Sequence, residues 1–351
     1  MTGCYPRRVG MHEDFTGHWV LIPRSRRGLH PDETTVAEAL KSKGYATACV
    51  GKWHLGDQPE HLPTAHGFDF YYGIPYSNDM QAAGRGDPPL PLVQQNEVIE
   101  APEDQSTLTK RYTEQVISFI ETNQKKPFFV YLPHTFPHLP LFASPDFNGK
   151  SANGRYGDSV EEIDWSTGEI LKCLDRLKLA DNTLVIFTSD NGFYLGEHSL
   201  AGKWFMHEES IRLPLVICDP RLPRKGTGHR VSEPALNIDI APTILELAGL
   251  SAPAAVQGRS LVPLLQRRQV AWRTEFFYEH PFRHPRIPMT EGVRGLRWKY
   301  VRYTSLDPVV EELYDLETDP REEKNLAKDR QFAGRLAEQR GKWQKWRNRV
   351  K

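Results

Sequence analysis

A chain of 351 residues can bury a substantial core and has room for one large domain with a smaller one appended. Lys+Arg and Asp+Glu both number 45, so the formal net charge of zero offers no basic excess for nucleic acid or an anionic membrane surface, and any anion site has to be local. Cys4, Cys49, Cys173 and Cys218 are scattered with no C-x-x-C pair, which argues against a zinc site or a dense disulfide framework and leaves buried thiols as the expectation. No run of about 18 apolar residues is present to span a membrane. Pro6, Arg7, Arg8, His12, Glu13 and Asp14 do not form a basic segment followed by an apolar one, so the sequence as written predicts no secretion signal and a cytoplasmic chain.

In chain order, residues 34–44 predict a helix in which Val36, Ala39 and Leu40 share a face and Gly44 closes the C-terminus. The strand ATACV follows. YTEQVISFIE predicts a second helix over residues 109–121, leading into the apolar PFFVYLP, whose composition is that of a strand buried on both faces. A third helix over residues 158–179 carries Val160, Ile163, Ile170, Leu171, Leu174 and Leu177 on one stripe and precedes TLVIFTSDNG; PLVIC is a fourth strand. Alternating helices and apolar strands predict an α/β fold with a mostly parallel central sheet flanked by helices, and ligands at the carboxyl ends of the strands. Beyond the helix NIDIAPTILELAGL, the segments FFYEH and GVRGLRWKYVRY alternate like antiparallel strands before a charged terminal helix. The expected division is a catalytic domain over residues 1–262 and a smaller α+β subdomain over residues 263–351.

Four clusters follow predicted strands. In GKWHLG, Lys52 and His54 are two apart; if the segment is extended, a cation and a titratable imidazole project together, flanked by glycines that permit close backbone approach. Proline-rich LPHTFPHLPLF holds His134 and His138 stiffly enough to direct them into a cleft. TSDNG ends a strand with Asp190 and Asn191, two hard oxygen donors suited to calcium or magnesium. Lys203 sits in the loop of LGEHSLAGKWFMHEESIRLPLV, where a lysine can hold an anion or a leaving group. Each also has an ordinary alternative, as surface lysines and histidines, a packed histidine or a strand-end turn. Their shared placement at one rim of the sheet gives them weight.

GYATACVGKWHLG with the downstream SDNG resembles the sulfatase family, within the alkaline phosphatase superfamily. HGFDFYYGIPYSNDM, PHTFPHLPLF, VEEIDWSTGEIL, GKWFMHEESIRLPLV and ELYDLETDPREEKNL occur in that family's order, over nearly the whole chain. The resemblance implies hydrolysis of a sulfate monoester by a formylglycine nucleophile, with calcium (or magnesium) as an electrostatic clamp. By the same resemblance Asp190 and Asn191 are metal ligands and Lys52 contacts sulfate and nucleophile. His54 accepts the proton when the sulfated intermediate collapses. His138 and Lys203 serve the leaving oxygen, and His134 and His198 shape the substrate pocket. The implied partners are a sulfated small molecule or glycan and the formylglycine-generating enzyme. Up to SDNG the motifs resemble arylsulfatase and galactosamine-sulfatase relatives, whereas GEHSLAGKWFMHEESIR resembles a bacterial branch acting on sulfated glycans or small sulfate esters, so the substrate stays open.

Cys4, Pro6 and Arg8 mimic the C-x-P-x-R core of the family's cysteine signature. MTGCYPRR, however, aligns with that signature's later T-G-x-Y-P portion, which puts Cys4 on a variable position and the nucleophile upstream of Met1. The family's D-D-x-G strand end, supplying two further metal ligands, is also absent before Gly51. The resemblance therefore implies a chain without its nucleophile and half its metal site, inactive as given, belonging to a periplasmic or secreted complete protein. Two other functions fit the residues: a metal-dependent phosphatase or phosphonate monoester hydrolase, and a non-catalytic binder of sulfated ligands.

Overall fold

The computed structural model describes residues 1–12, 20–81, 86–222 and 228–350; Glu13 and Asp14 of the opening segment lie outside them. In chain order the main elements are α1 (Val36–Lys41), β1 (Ala46–Val50), β2 (Phe70–Gly73), β3 (Leu92–Gln94), β4 (Glu97–Glu100), α2 (Leu108–Asn123), β5 (Phe128–Tyr131) and α3 (Gly154–Arg176). These are followed by β6 (Val185–Thr188), β7 (Tyr194–Leu195), β8 (Ala201–Gly202), α4 (Glu208–Ile211), β9 (Leu215–Cys218), α5 (Ile240–Leu247), α6 (Val262–Leu265), β10 (Glu275–His280), β11 (Thr290–Gly295), β12 (Trp298–Tyr303), β13 (Val310–Asp315) and α7 (Ala333–Val350). They form two compact units, the first from residues 1–12, 20–81, 86–183 and 238–262 and the second from residues 184–222, 228–237 and 263–350. The described part of the expected C-terminal stretch 263–351 is thus grouped with residues 184–222 and 228–237.

The first unit is built on a mixed sheet of order β4-β3-β2-β1-β5. Its centre is parallel: β1 runs with β2 (Cys49 opposite Tyr71) and with β5 (Cys49 opposite Tyr131), while β3 and β4 extend the other edge as antiparallel strands. Thr35 and Glu38 form a capping box on α1, satisfying two backbone donors that the first turn leaves open. Trp53, Phe68, Tyr71 and Val93 bury around Cys49, whose thiol burial pushes well up. Two of the cysteines, Cys49 and Cys173, are buried as expected; Cys4 is half-buried and Cys218 exposed.

PFFVYLP departs from expectation. All four residues of β5 are only half-buried, because β5 pairs with β1 alone and its other edge carries no strand among the described residues. The strands from TLVIFTS and PLVIC likewise do not join this sheet. They pair with each other, antiparallel, in the second unit as β6 and β9, leaving Phe187 41% and Val216 61% exposed.

The rest of the second unit is the hairpin β7-β8 and the antiparallel meander β10-β11-β12-β13 foretold by the alternating C-terminal pattern. The terminal helix α7 lays Leu336 and Trp343 over Phe277, Val293, Tyr300 and Leu313 of that sheet. No described helix is long and apolar enough to cross a membrane.

Candidate active site

In the first unit the chain leaving β1 stays threaded between its neighbours. Gly51 N donates to Tyr72 O (2.9 Å), Lys52 N to Pro133 O (2.8 Å), Trp53 N to Ile74 O (3.0 Å) and His54 N to Pro75 O (3.1 Å). This close threading requires glycine: a Cβ on Gly51, whose φ is +132°, would stand 2.1 Å from Pro133 O, and one on Gly73 would stand 1.8 Å from Gly51 O. Trp53 is buried and donates from Nε1 to His61 O (2.8 Å), anchoring the segment between Lys52 and His54.

His54 corrects the expectation of an extended GKWHLG. Its φ of +57° is left-handed, so the strand rule that residues two apart face alike does not reach it. Its Nε2 lies 3.0 Å from Leu21 O. A non-glycine residue held in that region is uncommon and has to be over-determined by its surroundings, a condition that concentrates at functional sites.

The bond from Lys52 N to Pro133 O sets Lys52 beside the start of the proline-rich loop, where His134 follows directly. His134 Nδ1 is sequestered with no hydrogen-bond partner, and burial pushes the ring down to about 4, so it is neutral near pH 7. Thr135, fully enclosed, meets Tyr112 Oη of α2 at 3.1 Å and fixes the loop's root. His138, partly exposed, has Nδ1 2.7 Å from Leu139 O.

In the second unit β6 ends in the Asp190–Asn191 pair. Asn191 N donates to Asp190 Oδ1 (2.9 Å), Asn191 Nδ2 to Gly192 O (2.7 Å) and Asn237 Nδ2 to Asp190 O (2.9 Å). Gly192 lies so near the chain of α4 that a Cβ would stand 2.0 Å from Glu209 O. Asp190 and Asn191 have the hard oxygens a calcium or magnesium ion takes, yet calcium takes roughly six to eight. Among the described residues no three His, Cys, Asp or Glu side chains cluster as ligands. The donor chemistry fits and the donor number is incomplete.

His198 lies at the tip of the β7-β8 hairpin and Lys203 directly after it. His198 is left-handed (φ +54°), stacks on His207 with ring centroids 4.2 Å apart, and approaches Glu209 at 3.4 Å. Lys203 O accepts from Ser210 Oγ (2.9 Å). Behind them lies a buried ionic knot: Lys299 Nζ, fully enclosed on β12, reaches Glu208 (2.7 Å), Glu322 (2.8 Å) and Met206 O (2.9 Å), and Arg294 meets Glu208 at 3.2 Å. Burial drives Glu208 up, but Lys299 and Arg294 overcome it and hold the carboxyl at about 2. A Glu322 carboxylate oxygen accepts from Glu208 N (2.7 Å), so the knot pins the start of α4.

The sequence reading placed Lys52, His54, His134 and His138, which the first unit carries, and Asp190, Asn191, His198 and Lys203, which the second carries. It missed His207, Lys299 and Glu322. His207 stands inside the quoted FMHEES stretch, but only the left-handed turn at His198 brings the two imidazoles into register.

In the first unit a lysine and histidines follow the carboxyl ends of the parallel strands β1 and β5, and in the second unit β6 leads into Asp–Asn. The chain belongs to the sulfatase family: the family model Sulfatase matches residues 1–250, and that for the C-terminal part of N-sulphoglucosamine sulphohydrolase matches residues 196–348. It is 33% identical to human steryl-sulfatase over 80% of this chain and 62% of that protein. It is 36% identical to pig N-acetylgalactosamine-6-sulfatase over 79% of this chain and 58% of that protein. The chain thus spans about three-fifths of the length of these relatives. A solved structure described as in complex with its substrate D-glucosamine-2-N,6-O-disulfate superposes with a TM-score of 0.80 at 21% identity, covering 100% of this chain and 86% of that one. The phosphonate monoester hydrolase of Silicibacter pomeroyi does so with 0.76 at 20%, covering 100% and 85%. These two likenesses establish the fold.

Proposed function

We propose that the chain is the larger part of a sulfuric ester hydrolase acting on a sulfated small molecule or sulfated glycan. The observation carrying this is the Lys52–His54 segment, pinned by backbone bonds on two sides at the end of β1, within a chain of the sulfatase family. Lys52 binds the sulfate, and His54 is the base on the nucleophile's side. His138 and Lys203 stabilise the departing alkoxide by charge-assisted hydrogen bonds. His134, neutral at pH 7, contributes hydrogen bonding without charge, and His198 lines the pocket. Asp190 and Asn191 would hold part of a calcium (or magnesium) site. A bound metal and a formylglycine would supply charge neutralisation and the nucleophile.

The nucleophile and two more metal ligands come, in this proposal, from polypeptide preceding Met1, matured by the formylglycine-generating enzyme and exported. The half-exposed apolar β5, whose other edge carries no strand among the described residues, and the exposed Phe187 and Val216 suit strands that another segment covers. In this reading Cys4 is not the nucleophile; its Sγ donates to Ala255 O (3.2 Å) and Thr2 O (3.6 Å).

The test is to express the 351 residues with and without their in-frame upstream coding segment, alongside the formylglycine-generating enzyme, and assay an aryl sulfate and an aryl phosphonate. Sulfate turnover only in the longer protein, lowered on the order of 100-fold by Lys52→Ala, is expected. An upstream frame with no C-x-P-S-R and D-D-x-G would sink the proposal, and preference for the phosphonate would redirect it.

A further inference from the structure

The β7-β8 hairpin cannot hold its own shape. Only Tyr194 with Gly202 and Leu195 with Ala201 pair along it, and a two-stranded ribbon this short is not stable alone. Its tip also strings two left-handed non-glycine residues together, His198 (φ +54°) and Ser199 (φ +58°). Side chains have to supply what the backbone does not.

His207 makes two contacts suited to that. Its ring stacks on His198 at 4.2 Å with 22° between planes, and its Nδ1 lies 2.8 Å from Tyr194 Oη. One residue therefore touches the tip and the first strand of the hairpin. His207 is itself fixed: it is 7% exposed, its carbonyl accepts from Ser210 N (2.9 Å) at the start of α4, and its Nε2 is 4.0 Å from Glu312, which Tyr303 Oη also reaches (3.0 Å).

We propose that His207 is a positioning residue that locks the 194–203 hairpin, through the stack on His198 and the bond to Tyr194, so that His198 and Lys203 present one fixed arrangement to a sulfated ligand. The ligand part of this rests on the sulfatase reading; the locking part does not. Burial first, then the neighbouring His198 and Lys299, push His207 down to about 3, which keeps its ring neutral and free of charge repulsion against His198. If Tyr194 is the donor to Nδ1, the ring proton sits on Nε2, towards Glu312.

The test uses the full chain with histidine-labelled rings. NMR follows the His198 Cε1–H signal, and calorimetry follows binding of 4-nitrocatechol sulfate, in wild type, His207→Ala and His207→Phe. Removing the ring is expected to move the His198 signal to that of an unstacked imidazole and to weaken binding about fivefold, while phenylalanine, which can still stack but cannot bond Tyr194, restores the signal and part of the binding. If His207→Ala does not fold, His207→Leu, similar in volume and without a ring, is expected to behave as the alanine variant should. An unmoved His198 signal on removing the ring, or equal loss with phenylalanine, overturns the proposal. Absence of any binding by wild type overturns the ligand part of the proposal, and the His198 signal still decides the locking.

Discussion

The two groups of candidate residues are held in place by different physics. Lys52 and His134 are positioned by main chain: four successive backbone bonds run from residues 51–54 to the flanking strand extensions, and glycines at 51 and 73 allow that approach. His198 and Lys203 sit on a hairpin with two residue pairs of its own, supported by an imidazole stack and a buried Lys–Glu knot. Backbone threading fixes position through sterics that tolerate almost no added atom. A side-chain network fixes position through partners that each depend on another's charge and tautomer, so removal of one leaves the rest uncompensated.

The contrast is sharpest where one side chain is removed. Lys299→Ala leaves Glu322 buried without its cation and Glu208 with Arg294 alone, and is expected to cost about 3–5 kcal/mol in urea unfolding, with Lys299→Met costing no less than half of that. A loss under about 1 kcal/mol would mean that the knot is not what holds the start of α4. In the first unit the corresponding break is steric: Gly51→Ala is expected to cost about 2–3 kcal/mol, since the new methyl meets Pro133 O and φ is left-handed. There Lys52→Ala should leave stability within about 0.5 kcal/mol, because the Lys52 backbone bond persists.

Acid separates the regions more gently. His134 is pushed down to about 4, below the ordinary value of about 6.5 that it regains on unfolding, so the unfolded chain binds more protons between those values. Its contribution is fully present above about pH 6.5 and is lost as pH falls towards 4. Urea midpoints of wild type and His134→Asn are expected to diverge at pH 7 and converge by about pH 4, by about 1–2 kcal/mol in all. A constant difference across that range would place the His134 ring in water.

Much of this was legible in the sequence, for reasons that particular residues make plain. The α/β class, α1 to α3 and the C-terminal meander followed from local periodicity, while the eight candidate residues came from motifs that follow strands and from the family resemblance. The sheet partners of β6 and β9 did not, because an apolar run such as TLVIFTS or PLVIC reads the same whichever strand lies beside it. The stripe expected on α3 was half right: Ile163 and Leu174 are buried, but Val160 and Leu171 are over 40% exposed, and Asp158, Glu162 and Ser166 take the inner face. Asp158 accepts three backbone N–H groups from residues 149–151, and Ser166 Oγ meets Thr113 Oγ1 of α2 at 2.6 Å. Burial of polar side chains by specific partners leaves no mark on hydrophobic periodicity, and for the same reason the Lys299 knot was invisible until the meander brought it together.

The central claim is that Lys52 and its companions serve a nucleophile other than Cys4. It is tested most directly by peptide mass spectrometry of Cys4 in the purified 351-residue chain, coexpressed with the formylglycine-generating enzyme and assayed with an aryl sulfate. An unmodified Cys4 and no turnover is the result expected. A formylglycine at Cys4, with turnover abolished by Cys4→Ala, would contradict it and make this chain a sulfatase in its own right.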